Sequence, residues 1–357
     1  MASTTRWNWC KLLPLSIIRP VLSMQFVIKL FPEINLKSQS IQRRLTAILQ
    51  SNVHQILSRF DPDVVVKREW DKLIVSSGVN SAATAQQYVQ ALVDIPGIQT
   101  ILEVEVQPFA DLDDILRHTL AIWAIQLPGK SFCVRARRSG QHPFSSLQVQ
   151  RFVGAGLLAA CAGARVDLHQ PECLVQLEVV QQTLYLVRAT HKGLGGYPLA
   201  TQDDVLCMLS GGYDSAVAAF QFIKRGCRVH YCFFNLGGDE HLRGVQQMAY
   251  LLWSRYSSTH KVQLIAVDFA GVVNDIVQHI PLGNQGVVLK RQMLRAAQML
   301  ARRLQAPAVV SGEAVGQVAS QTLANLQVID QVSTGVVLRP LASLVKPVIF
   351  GFVVCIF

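Results

Sequence analysis

The eight cysteines, at 10, 133, 161, 173, 207, 227, 232 and 355, form no C-x-x-C pair, and none stands at the Cys/His spacing of a zinc site. Most lie in apolar runs and read as buried thiols of a cytosolic protein, with no metal site of their own. No stretch reaches the roughly 18 uninterrupted apolar residues that a membrane span requires, so no membrane association through a helix is expected. The first 23 residues carry Arg6, Lys11 and some apolar side chains, yet Pro14 and Pro20 break the run and no small-residue cleavage site follows. They read as an extension outside the fold, with a natural start at Met24. Acidic residues are also scarce, 23 against 33 Lys and Arg, giving net +10. That balance favours a polyanionic partner, nucleic acid or an acidic membrane surface, without choosing between them.

What is present centres on residues 206–215, LCMLSGGYDS, which lead into the apolar-periodic run 216–223. This is a strand, a glycine turn and a helix start. Gly211 and Gly212 let the backbone approach a ligand, and free amides at the helix N-terminus make an electropositive anion site. No Lys follows the glycines, so the loop is not a Walker motif, nor is it G-x-G-x-x-G. The alternative is an ordinary glycine turn with Ser or Asp capping the helix.

Length predicts two or three domains, and a hydrophobic content of 50% is enough for a sizeable core. From Met24 the pattern runs strand 24–31, helix 38–60, strands 63–69 and 72–77, helix 82–93 and strand 98–106. That order, β-α-β-β-α-β, is the ferredoxin-like arrangement. A helix over 111–126 follows. A second module over 130–190 offers strand 132–137, helix 146–162 and strands 174–180 and 183–189. It concentrates Arg135, Arg137, Arg138, Arg151 and Arg165 with few acids nearby, as a phosphate backbone would need, or as a solvated basic face would show. A glycine-rich linker, KGLGGYP at 192–198, precedes a third domain. There strands 205–209, 228–236, 261–269 and 308–312 alternate with helices 215–225, 241–256 and 286–304. This alternation predicts a doubly wound parallel sheet with ligands beyond the carboxyl ends of its strands.

Both 210–215 and Ser311-Gly312-Glu313 follow apolar strands and should reach the same sheet edge. Gly312 would let a nucleotide lie against the backbone. Lys290, placed near a helix start, would neutralise phosphoryl charge or stand as a solvated lysine. Gln317, Ser320 and Gln321 offer directed hydrogen bonds to a nucleotide. Asp214 is a candidate to hold Mg²⁺ with the phosphates, or a first-turn acid favoured by the helix dipole.

Several blocks then converge: KLFPEINLKSQS (29–40), FCVRARRSG (132–140), GLGGYP (193–198), LSGGYDS (209–215), YCFFNLGG (231–238), VLKRQM (288–293), SGEAVGQVASQT (311–322) and LRPL (338–341). Together they resemble the tRNA 4-thiouridine synthetases, tRNA sulfurtransferases that also serve thiamine biosynthesis, from Met24 to about Lys346. The resemblance implies a ferredoxin-like domain over 24–107, a THUMP domain over 108–192 that binds the tRNA acceptor end, and a PP-loop ATPase domain over 193–346. In that family ATP adenylates the O4 oxygen of the uridine at position eight, and a persulfide sulfur displaces AMP. Carried over, the ATP contacts are Met208, Leu209, Lys290, Gly312 and Gln321, with Asp214 of the loop as the catalytic carboxylate, and the phosphate-loop reading adds Ser210, Gly211, Gly212 and Ser215. The basic cluster of the second module then supplies the tRNA contacts, Arg135, Arg137, Arg138 and Arg151. The implied partners are tRNA, a cysteine desulfurase carrying a persulfide and the sulfur-carrier protein of thiamine synthesis, and a homodimer is allowed.

The departures are at the end of the chain. After LRPL the family continues with a polar segment, a long helix and a sulfur-handling Cys. Here Val345 stands where an Asp is expected, and 347–357 (PVIFGFVVCIF) reads as an aberrant apolar tail ending an incomplete domain. A frameshift or premature end accounts for this, and Cys355 lies in an unrelated apolar context without an activating base. The expectation is a chain that binds ATP and tRNA without completing thiolation. Alternatives are a non-catalytic or adenylation-only tRNA-binding fragment, and a PP-loop synthetase that adenylates a small molecule.

Overall fold

The computed structural model describes residues 25–69, 71–77, 82–236 and 238–357. The extension 1–23 and Met24 lie outside the described residues. In the first module, β1 (Gln25–Leu30), α1 (Pro32–Asn35), α2 (Gln39–Leu57), β2 (Val65–Arg68), β3 (Lys72–Ser76), α3 (Ala82–Val93) and β4 (Ile98–Pro108) follow the expected order. The second contains α4 (Leu112–Trp123), β5 (Ser131–Ser139), α5 (Ser146–Ala160), β6 (Arg165–Val166), β7 (Cys173–Val180) and β8 (Thr183–Lys192). Their strands form one sheet, β2-β3-β1-β4-β8-β7-β5-β6, because the long β4 pairs antiparallel with β1 on one edge and β8 on the other. The β2-β3-β1-β4 half is the ferredoxin-like order.

Alternation sorts this sheet into two faces. On one face Phe26, Ile28, Leu73, Val75 and Ile101 join a core with α2 and α3 and Phe132, Val134, Ala136 and Leu177 join one with α4 and α5, while Val27, Ile74, Leu102, Val104 and Val187 cluster on the other. The helix α5 starts at a capping box, the Ser145 hydroxyl accepting from Gln148 N and the Gln148 side chain from Ser145 N.

The third module carries β9 (Val205–Met208), α6 (Tyr213–Lys224), β10 (Val229–Asn235), α7 (Asp239–Leu252), a π-helical turn (Trp253–Ser257) and β11 (Leu264–Asp268). After these come α8 (Ala270–His279), α9 (Leu282–Arg303), β12 (Ala308–Val310), a 3₁₀ turn (Ala319–Gln321), α10 (Leu323–Asp330), β13 (Val336–Leu338) and α11 (Lys346–Ile356). The sheet is wholly parallel in the order β11-β10-β9-β12-β13, with β9 in the centre. The strands β9, β10 and β12 are almost entirely buried, as expected where both faces are covered. Among the described residues no helix is long and apolar enough to cross a membrane.

Three readings change. The stretch 192–198 is no loose linker: residues 195–199 are buried, and a Cβ on Gly196 (φ +77°) would sit 2.0 Å from Lys224 O. The glycines let the chain pass under α6. The apolar tail is α11, packed on α6 with Ile349, Val353 and Ile356 buried in the core that includes Val217 and Phe220. A run apolar on all sides hides the helical stripe that those three positions form. Helices α8 and α10 and strand β13 were not anticipated.

Candidate functional site

At the end of β9, Leu209 N donates to Cys232 O (2.8 Å), and the chain then turns through Ser210, Gly211 and Gly212 into α6. Gly211 adopts φ +78°, and a Cβ there would sit 2.9 Å from His241 Nε2. His241, in the first turn of α7, donates Nε2–H to Ser210 O (2.9 Å) and braces the loop from outside. Ser215 braces it from within, its hydroxyl donating to Gly212 O (2.8 Å) and accepting from Ser210 N (3.1 Å). The N-cap is Gly212, with no side chain capping the helix, so the first-turn amides stay available to an anion.

The second turn, after β12, meets the first. A Cβ on Gly312 would lie 2.7 Å from Ser215 N and 2.8 Å from the Asp214 carbonyl carbon. Gly312 is thus required by contact between the two turns themselves. Next to it, Glu313 Oε1 accepts from Lys290 Nζ (2.8 Å) and Oε2 from Arg339 Nε (2.9 Å), while Asp330 receives the Arg339 fork at 2.7 and 2.9 Å. Burial would raise the Glu313 carboxyl, but the hydrogen bonds and charges of Lys290 and Arg339 outweigh it and hold it below the usual carboxylate range. Gln317 Nε2 donates to Asp214 Oδ2 at 2.8 Å.

These turns enclose a pocket of about 300 Å³ at the carboxyl edge of the sheet. Of the expected nucleotide residues, Met208, Leu209, Ser210, Asp214, Ser215, Lys290, Gly312 and Gln321 line it. Gly211 and Gly212 shape the turn without being part of the lining. Gln321 Oε1 is buried there without a hydrogen-bond partner among the described residues. Lys290 lies in the third turn of α9 and not near a helix start, because α9 begins earlier than its apolar period suggests. The lining also includes Arg339, His241 and Phe233, which the sequence did not single out as site residues. Their signal was position: Phe233 and Arg339 lie at or near the carboxyl ends of β10 and β13, and His241 is in the first turn of α7, the helix that follows β10. Among the described residues no cysteine lines the pocket, and burial raises Cys207 to about 12 and Cys227 to about 11.

The basic residues divide. Arg135 and Arg137 alternate with the core residues Val134 and Ala136, so they stand on the sheet face away from α4 and α5. Arg138 is on the helix side at the strand end, donating to Gly140 O (2.8 Å), and Arg151 is exposed on α5. The four do not form one patch.

Residues 200–353 match the family model described as thiamine biosynthesis protein (ThiI), and residues 109–187 match the THUMP domain. The chain is 54% identical over 324 residues to a tRNA sulfurtransferase of Aeromonas salmonicida, covering 91% of this chain and 67% of that protein. It is 48% identical over 320 residues to that of Haemophilus influenzae, covering 90% and 66%. The chain thus spans about two thirds of the length of these relatives. Its fold is similar to that in the crystal structure of a 4-thiouridine synthetase–RNA complex with bound ATP, at TM-score 0.81 and 24% identity over 94% of this chain and 85% of that one. It is also similar to PH1313 from Pyrococcus horikoshii, at TM-score 0.70 and 22% identity over 92% and 98%.

Proposed function

Because this chain belongs to the tRNA sulfurtransferase family, we propose that it uses ATP to activate a uridine carbonyl of tRNA for replacement by sulfur. The observation that carries this is the meeting of an uncapped helix N-terminus, a carboxylate (Asp214) and a cation (Lys290) in one pocket. Phosphates lie on the amides of the 210–215 turn, where helix dipole and N–H donors favour negative charge. Uridine O4 attacks the α-phosphorus, the Pα–O–Pβ bond breaks, and pyrophosphate leaves with the electron pair. Lys290 offsets charge gathering on the phosphoryl oxygens.

Asp214, with the pocket's other carboxylate Glu313 already paired to Lys290 and Arg339, fits Mg²⁺ carried in by the nucleotide, since this ion is commonly held by one or two carboxylates plus phosphate oxygens. Among the described residues no three His, Cys, Asp or Glu side chains group as a self-sufficient metal site. Asp214 would hold the ion, which neutralises phosphate charge.

A persulfide supplied by a cysteine desulfurase, from outside this pocket, brings the sulfur: its terminal sulfur bonds to uridine C4, the C4–O4 bond breaks and AMP leaves, and a second thiol cleaves the remaining S–S bond to free the thiocarbonyl. The nucleotide modified is the uridine at position eight, and the same sulfur chemistry serves thiamine thiazole synthesis. The test is pyrophosphate release from ATP with and without unmodified tRNA, followed by 4-thiouridine analysis after adding a persulfide donor. Release that requires tRNA is the expected result. ATP cleavage stimulated by a small-molecule acceptor and not by tRNA would overturn the reading.

A further inference from the structure

We propose that Gln317 is a positioning residue that fixes the Asp214 carboxylate for the adenylation step, an inference that rests on the function proposed above. Asp214 sits in the first turn of α6, beside the amides that would receive phosphate. A carboxylate there repels phosphate unless one oxygen is turned to serve a cation, so its rotamer matters. Gln317 Nε2 holds Oδ2 at 2.8 Å, and Oδ1 has no partner among the described residues. A neutral amide suits this task. Lys or Arg would hold the carboxylate as well but would cancel the charge that makes it useful.

Gln317 is itself held in a closed loop. Gly316 (φ +75°) donates N–H to Gln321 O (2.9 Å), and Gln321 N donates to Val318 O (2.8 Å). Val315 N donates to Ala342 O (3.0 Å), tying the loop to the segment after β13. The same loop begins at Glu313, the partner of Lys290. One rigid segment therefore orients both the anion and the cation of the pocket, across 103 residues of sequence from Asp214.

Gln317→Met keeps the length and removes the donor. Expected is a fall of about 10- to 100-fold in kcat for tRNA-dependent pyrophosphate release, with the KM for ATP within about threefold. In an Asp214→Asn background the same substitution should cost less than about twofold, because Gln317 acts through Asp214. The crystal structure of Gln317→Met should show Asp214 in a changed or mixed rotamer. An unchanged kcat, an equal loss in both backgrounds, or an unmoved Asp214 would each overturn the proposal. If the unsubstituted chain releases no pyrophosphate, the adenylation reading falls, and the rotamer comparison still decides for or against Gln317.

Discussion

Lys290 Nζ lies 2.8 Å from Glu313 Oε1 across the pocket, so the cation offered to a nucleotide is held in place before any ligand arrives. Preorganised charge is worth more in catalysis than charge that must be gathered at the moment of reaction. Lys290→Met should therefore reduce pyrophosphate release by about 100-fold, with tRNA affinity unchanged. Glu313→Gln should cost less, roughly tenfold, since the lysine charge survives and only its anchor weakens. Steady-state kinetics with tRNA filter binding separates the two effects.

Glu313 also predicts a pH dependence. Its folded-state pKa lies below the ordinary 4.5, because Lys290 and Arg339 together outweigh the burial that would raise it. The stability it contributes is fully present above about pH 4.5 and is lost as pH falls through the lowered value. Urea midpoints measured from pH 6 down to pH 3 should fall more steeply for the native chain than for Glu313→Gln. Parallel curves would mean that the carboxylate gains nothing from its two cations.

Gly312→Ala should be costly although the change is one methyl group. The new Cβ would press on Ser215 N and the Asp214 carbonyl carbon, backbone atoms that cannot rotate away. Overpacking of this kind costs about 1–3 kcal/mol, and here it would also separate the two turns of the pocket. Thermal unfolding and ATP titration should both weaken. Full ATP affinity with a lowered melting temperature would leave Gly312 a purely structural role.

Much of this site was legible because strand-turn-helix junctions carry local signals: the glycine pair at 211–212 and the S-G-E turn mark sheet-edge loops without knowledge of their neighbours. What was not legible is what those residues touch. Gly312 is required by its contact with Ser215 whatever the pocket holds, and Ser215 Oγ braces the loop. Arg339 is quoted in the sequence within LRPL, yet its bond to Glu313 spans 26 residues and depends on β13, a three-residue strand too short to show a period. The same limit applies to α11, whose uniformly apolar run carries no phase.

The arginines give a prediction that sequence spacing alone would not make. Arg135 and Arg137 point away from the helices, and Arg151 sits on one. The two groups lie on opposite sides of the sheet, so substitution should separate them. We expect Arg135→Ala and Arg137→Ala to weaken tRNA binding, each flattening the plot of log affinity against log salt by about 0.7–0.9 per lost phosphate contact. Arg151→Ala should leave the slope unchanged. The reverse pattern would move the RNA to the α4–α5 side.

On the proposed function, tRNA binding and chemistry would lie on different modules, and Arg255 ties the catalytic third module to the first, which shares its sheet with the second. It stands in the π-helical turn after α7, where the widened backbone turns it out of the helix register. Its Nε lies 2.7 Å from Asp94 Oδ2 in the first module, and NH1 donates to Ile356 O at the end of α11 (2.8 Å). Arg59 adds a second tie, donating to Ser258 O (2.8 Å) and Oγ (2.9 Å). A half-exposed ion pair contributes little to stability by itself. Its effect should instead appear in communication between tRNA and ATP sites, where couplings of about 1–3 kcal/mol correspond to roughly 5- to 150-fold. Arg255→Met should therefore lower tRNA stimulation of pyrophosphate release about tenfold, while ATP affinity without tRNA stays within twofold. Equal losses in both measurements would mean that the arginine only holds the third module together.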